Sequence, residues 1–286
     1  MSVQITTAFV EQYKNNVIHL AQQKGSRLRD AVRTEIVTGK AHFFERIGST
    51  AAQKRASRHS DTPRMDTPHS RRKVSLDDYD WADLIDQEDK VRLLISPQSE
   101  YAMAGAWAMG RAMDDAIISA ATGTAYSGVA GGTSVSLPSG QKVAHASGGL
   151  TLAKLLSAKE ILDAADVDPD EPRFLVCAAG QIADLLNVSQ VTSADYNTVR
   201  ALAAGQIDTY LGFKFIQSER LGTDSTPSRQ CLAFTKSAIG LAVGADVTTK
   251  ISERADKNYA SQVFLSMTIG ATRIDEEKMV EIAANE

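Results

Sequence analysis

The feature that most constrains this chain is a single long helix signal near its middle. Ser96 is a good N-cap, Pro97 suits the first helical position, and Glu100 puts negative charge in the first turn. From there to Thr122 strong helix formers dominate, among them Ala104, Ala108, Ala112, Ala116, Ala120 and Ala121, before Gly123 ends the run. About 25 residues at 1.5 Å each make a rod near 38 Å. Ala104, Ala108 and Ala112 fall at steps of four, a narrow ridge that predicts close packing against a sheet.

The sequence on either side supplies that sheet. After Gly123 comes a stretch rich in Gly, Ser and Thr, where Val135–Leu137, the turn Pro138–Gly140 and Lys142–Val143 predict a small hairpin. The texture then alternates. Leu150–Ala165 and Gln181–Leu186 read as helices, as does Tyr196–Leu202. Arg173–Ala178, Leu211–Ile216, Arg229–Thr235, Ile239–Val243 and Val263–Ile269 read as strands, followed by Ala271–Asp275 and Met279–Ile282. No repeat of 20 to 50 residues is present, which excludes a solenoid. Ahead of the long helix, Phe9, Tyr13, Val17 and Leu20 mark an amphipathic helix with Gly25 as its stop.

Charge is unevenly distributed. Residues 40–73 hold nine Lys or Arg against three acids, and their two Asp-Thr-Pro segments, Asp61–Pro63 and Asp66–Pro68, predict an extended, turn-rich course. Residues 76–89 then hold seven acids with no Lys or Arg. Two adjacent blocks of opposite sign suit contact between copies of one chain, where such charges set register and steer encounter. The residues expected to make that contact are Arg71, Arg72, Lys73, Asp77, Asp78, Asp80 and Trp81. Nucleic acid is the competing partner for the basic run. The net charge of −4 and 6% aromatic content argue against a dedicated nucleic-acid binder.

Chemistry-bearing patterns give no catalytic, cofactor or metal assignment. The five histidines lack ligand spacing with Cys or acids. His59, Ser60 and Asp61 are sequence neighbours and cannot adopt triad geometry. Gly128–Thr133 lacks the Lys-Ser/Thr of a phosphate loop, and the acidic run lacks the Gly and bidentate Glu of a calcium loop. Trp81 and Trp107 read as buried rings rather than ligand platforms. Cys177 and Cys231 sit in apolar runs and read as reduced, buried thiols. No stretch approaches the ~20 apolar residues of a membrane span, and the start has no signal-peptide pattern, so folding in the cytosol is expected.

The order of these parts resembles the major capsid proteins of tailed bacteriophages, the HK97-like family. Residues 1–39 resemble its N-terminal arm, 40–90 its extended loop, and 91–150 its peripheral domain with a spine helix over 97–122. Residues 151–248, with Arg173–Ala179, Ala204–Ile207 and Leu211–Phe215, resemble the axial domain. Residues 249–286, with Ser266–Asp275, resemble a strand pair returning to the peripheral domain. The resemblance implies an α+β (mixed α/β) fold without enzymatic activity or cofactor. It implies self-assembly into pentamers and hexamers of an icosahedral head around double-stranded DNA, without sequence-specific binding or a membrane. A separate scaffolding protein and a portal would be partners, a decoration protein a further one, and assembly would take place in the host bacterial cytoplasm. The alternatives are an encapsulin-like nanocompartment shell and, more remotely, a small-molecule-binding α/β protein.

Overall fold

The computed structural model describes residues 22–55, 57–58, 61–62, 64–86, 98–145, 148–186, 209–223 and 228–285. The expected helices at Phe9–Ala21 and Tyr196–Leu202, and the Ala204–Ile207 segment, lie outside them. The described chain opens with β1 (Arg33–Ile36), β2 (Ala41–Ile47), β3 (His69–Ser75) and β4 (Asp77–Ile85), then α1 (Gln98–Thr122). Next come β5 (Ala125–Ser127), β6 (Thr133–Val135), β7 (Lys142–Val143), α2 (Leu152–Ala164), β8 (Arg173–Cys177) and α3 (Ala179–Leu186). The remainder is strand: β9 (Thr209–Tyr210), β10 (Phe213–Gln217), β11 (Ser228–Thr235), β12 (Ile239–Arg254), β13 (Ala260–Arg273) and β14 (Met279–Asn285).

Three sheets result, in the orders β1-β12-β13-β4, β7-β14-β11-β8-β10-β9 and β2-β3-β5-β6. The first carries α1 on one face. Strand alternation turns Val263, Leu265, Met267 and Ile269 of β13 inward, with Tyr79, Trp81 and Ile85 of β4 on the same side. The helix meets them along Gly105, Met109, Met113, Ile117 and Ala121, again at steps of four. Burying such Met and Ile side chains contributes about 1.5–3 kcal/mol each. The expected ridge of Ala104, Ala108 and Ala112 is therefore displaced by one position, because those residues are only half-buried. What sets the spacing is glycine. A Cβ on Gly105 would lie 2.6 Å from the Trp81 ring and 2.7 Å from Leu265 Cδ1. The last carbonyls of α1 are capped from the sheet: buried Arg273 donates to the oxygens of Ala121 and Gly123, each at 2.8 Å.

The six-stranded sheet is built around β8, buried at all five positions, with Leu155, Ala158 and Leu162 of α2 and Leu185 of α3 buried against the same core. That core is continuous with the one under α1. A smaller one, Val37, Phe44, Val74, Ala242 and Ile274, lies beneath β2 and β3.

Several expected boundaries move. Leu28, Ala31 and Val32 are buried and β1 runs parallel to β12, so residues 28–37 belong to the body rather than to an arm ending at 39. Strand β4 pairs with β13 from Asp77↔Ile269 to Ile85↔Ser261, which removes it from the extended loop. The hairpin expected at 135–143 forms earlier, between β5 and β6, because Gly128 and Gly131 supply the positive φ of the turn. Pro138 instead precedes a 3-10 turn, and β7 joins β14 in the other sheet. Leu211 and Gly212 (φ 52° and 85°) form a two-residue hairpin turn instead of opening a strand. β13 runs unbroken through Gly270, where a side chain would collide with the Ser75 carbonyl; that glycine marks a close approach and not a strand end. Finally, β12 crosses the expected boundary at 248, and β14 lies in the six-stranded sheet instead of returning beside β13.

Candidate assembly surfaces

The seven residues expected to join copies do not share one surface. On β3, alternation separates Arg72 from Arg71 and Lys73. Arg71 pairs with Glu45 across the β2–β3 ladder at 2.9 Å and stacks over Phe43 at 5.3 Å. Lys73 lays its stem over Gly131. Arg72 is 5% exposed, and its Nη2 reaches both Glu276 oxygens at 2.6 and 2.7 Å. Its charge is neutralised within its own chain, which corrects its assignment to a contact between copies. On β4, Asp78 and Asp80 point to the exposed face, where Asp78 accepts the Thr268 hydroxyl at 2.6 Å. Asp77 has the opposite parity, and Trp81 is packed over Gly105, so its ring is part of the helix–sheet contact.

What stays exposed is the segment between β2 and β3. Every described residue from Gly48 to Pro68 is exposed, with Lys54, Arg55, Arg58 and Arg64 among them. Its stem is closed by the Gly48 N–H donating to the Pro68 carbonyl at 2.9 Å. The Arg64–Asp66 pair, 3.8 Å apart, stands in solvent at both ends and contributes little.

The segment leading to β1 is fastened along α1, a site the sequence reading missed. Lys24 sits over the Trp107 ring at 5.5 Å, and Arg111 holds Gln22 Oε1 and the Gln23 carbonyl at 3.0 and 3.1 Å. Buried Asp114 accepts from Gln23 Nε2, Ser26 Oγ (2.6 Å), Arg27 N (3.0 Å) and Leu28 N (3.2 Å). The legible signal was Arg111 and Asp114, opposite charges three positions apart on the helix face that also carries Trp107 and Gly110.

Cys177 and Cys231 are buried, and burial pushes the Cys177 thiol up to about 12 and the Cys231 thiol up as well. Among the described residues no three His, Cys, Asp or Glu side chains cluster as metal ligands, and no helix is long and apolar enough to cross a membrane. A cleft of about 690 Å³ runs between β2 and the β13–β14 turn. Within it Arg46 pairs with Asp275 at 3.4 Å, while Arg33 and Lys278 pair with Glu35 and Glu171.

The sequence matches the phage capsid protein family over residues 5–286. This chain belongs to that family. Capsid structures carry the same fold. The capsid of cyanophage P-SCSP1u aligns with a TM-score of 0.71 at 18% identity, over 100% of this chain and 97% of its own. A chain of Mycobacterium phage Che8 aligns at 0.68 and 18%, over 95% and 96%. The capsid of an empty GTA particle aligns at 0.67 and 13%, over 100% and 99%. No curated protein matches. The α+β fold read from the sequence is thus the HK97-like capsid fold, and this capsid protein shares its family's structural role in the phage shell.

Proposed function

We propose that this chain is the repeating subunit of an icosahedral head, closing into pentamers and hexamers around double-stranded DNA, and that residues 48–68 are the element by which one copy grips the next. The observation that carries the reading is that loop. It is some twenty residues long, exposed at every described position and basic. Loops beyond about 12–15 residues without secondary structure are uncommon and usually functional. Its partner is the acidic outer face of β4 on a second copy, where Asp78 and Asp80 stand exposed, with Asp86 just beyond the strand. Arg71 and Lys73 extend the basic surface towards the stalk of the loop. A separate scaffolding protein and a portal, with a decoration protein as a further partner, belong to the same reading, as does assembly in the bacterial cytoplasm.

Replacing residues 50–66 by a short Gly-Ser turn tests it. The β2–β3 ladder would remain, so the variant should unfold cooperatively yet give no particles by electron microscopy. Reversing Lys54, Arg55 and Arg58 to Glu should weaken assembly, most at low salt, with partial rescue by Asp78→Lys and Asp80→Lys. Normal shells from the loop replacement would refute the proposal.

A further inference from the structure

The loop leaves the body on a stalk, β2 paired with β3; the stalk is joined edgewise to β5, and two contacts beneath it bear on its tilt. One is the small apolar core of Val37, Phe44, Val74, Ala242 and Ile274, separate from the main core. The other is ionic. Glu276, 8% exposed in the turn between β13 and β14, receives Arg72 through both oxygens. Arg46, from the other strand of the stalk, reaches Glu276 Oε2 and Asp275 Oδ1, each at 3.4 Å. Phe44↔Arg72 and Arg46↔Ser70 are the opposed pairs of the ladder, so the two arginines descend on one face from neighbouring rungs.

The third guanidinium at this carboxylate belongs to Arg273, with its Nε 3.7 Å from Glu276 Oε1. The same residue caps α1 and donates to the Val135 carbonyl at 2.9 Å. One carboxylate therefore joins both strands of the stalk to the end of the long helix and to the β5–β6 hairpin. We propose that Glu276 is the positioning residue of the extended loop: it fixes the angle at which the loop leaves the subunit. This rests on the reading of residues 48–68 as the element that joins copies.

The geometry makes that angle consequential. A loop residue ten positions beyond the stalk lies up to about 33 Å away, so a swing of about 10° displaces it by up to about 6 Å. A displacement of that size takes the basic loop residues out of ion-pair distance of an acidic face on the next copy. Two glycines bring the body close under the stalk, Gly240 against Phe44 and Gly270 against Ser75, and β5 holds one edge of it at Arg72 and Lys73; the ionic clamp adds the polar restraint that reaches the edge strand β2, through Arg46.

Glu276→Gln keeps the shape and removes the charge that gathers the three arginines. Amide hydrogen exchange on the unassembled variant should speed up at least tenfold in β2 and β3 and stay unchanged in β8 and β11. Its particles should be irregular or absent. If the variant does not fold, Arg46→Gln at the half-exposed rim of the clamp decides, with the same local exchange and particle defects expected. Exchange and shells like those of the unaltered chain, in Glu276→Gln or failing that in Arg46→Gln, would overturn the proposal. The loop replacement separates the two readings. If it abolishes assembly while the clamp variants assemble normally, the loop's role stands and the role of Glu276 falls.

Discussion

Gly110→Ala sets helix propensity against packing, and the structure decides which wins. Within an isolated helix the change would gain about 1 kcal/mol. Here the added Cβ would sit 2.5 Å from both the Gly25 Cα and the Ser26 N. Those are backbone atoms, so no rotamer change relieves the overlap, and segment 23–28 must retreat by about 1 Å to reach normal carbon contact. Retreat stretches the bonds from Ser26, Arg27 and Leu28 to buried Asp114. Hydrogen bonds to a charged group are worth about 1.5–3 kcal/mol each. Losing two and recovering the propensity term leaves a deficit of about 3 kcal/mol. For 286 residues the unfolding entropy is about 0.6 kcal/mol/K, so Tm should fall by about 5 °C. Thermal unfolding of unassembled subunits measures it, with Ser119→Ala, exposed on the same helix, as the control expected to be neutral or slightly stabilising. A higher Tm for Gly110→Ala would refute the reasoning and show that segment 23–28 is not seated on α1.

Two further outcomes follow from buried groups. Lys154, 7% exposed, shares its three N–H groups among the carbonyls of His145, Gly148, Gly149 and Ala283, 2.6 to 3.0 Å away; Lys154→Met should cost about 2–4 kcal/mol, read as a lower urea midpoint, and an unchanged midpoint would contradict this. With burial holding Cys177 and Cys231 in the protonated thiol form, a thiol reagent at pH 8 should label neither in the folded subunit and both after unfolding, whereas rapid native labelling would exclude the packing described.

The parts legible in the sequence were those whose signals are local. Alanine content and a terminal glycine located α1 almost to the residue, and continuous apolar composition located β8. Long-range consequences were harder to see. The face of α1 that meets the sheet is defined at Gly105 by what glycine lacks, so a search for apolar ridges settled one position away. The charge blocks looked like a ready-made pair because adjacent charges in sequence say nothing about strand parity. Alternation buried Arg72, exposed Asp78 and put Asp77 on the other side. The partner of Arg72 is some two hundred residues away, and no spacing rule connects Arg72 with Glu276. The burial of Leu28, Ala31 and Val32 was not legible because three apolar residues around a single 3-10 turn are too short a run to announce a packing partner.

The position of β14 bears on how the subunit is made. It is an interior strand, antiparallel to β11 over seven residue pairs and parallel to β7 on its other edge. Until a ribosome has delivered residues 279–285, β11 lacks one neighbour and β7 has no sheet to join, so the six-stranded sheet cannot be completed during synthesis. Sheets with such distant pairings form slowly. A product of premature termination would lack that strand and expose the apolar edge of β11 to chaperones and proteases. A chain that stops short of residue 279 therefore lacks the strand that joins β7 to β11, and its six-stranded sheet stays in two pieces.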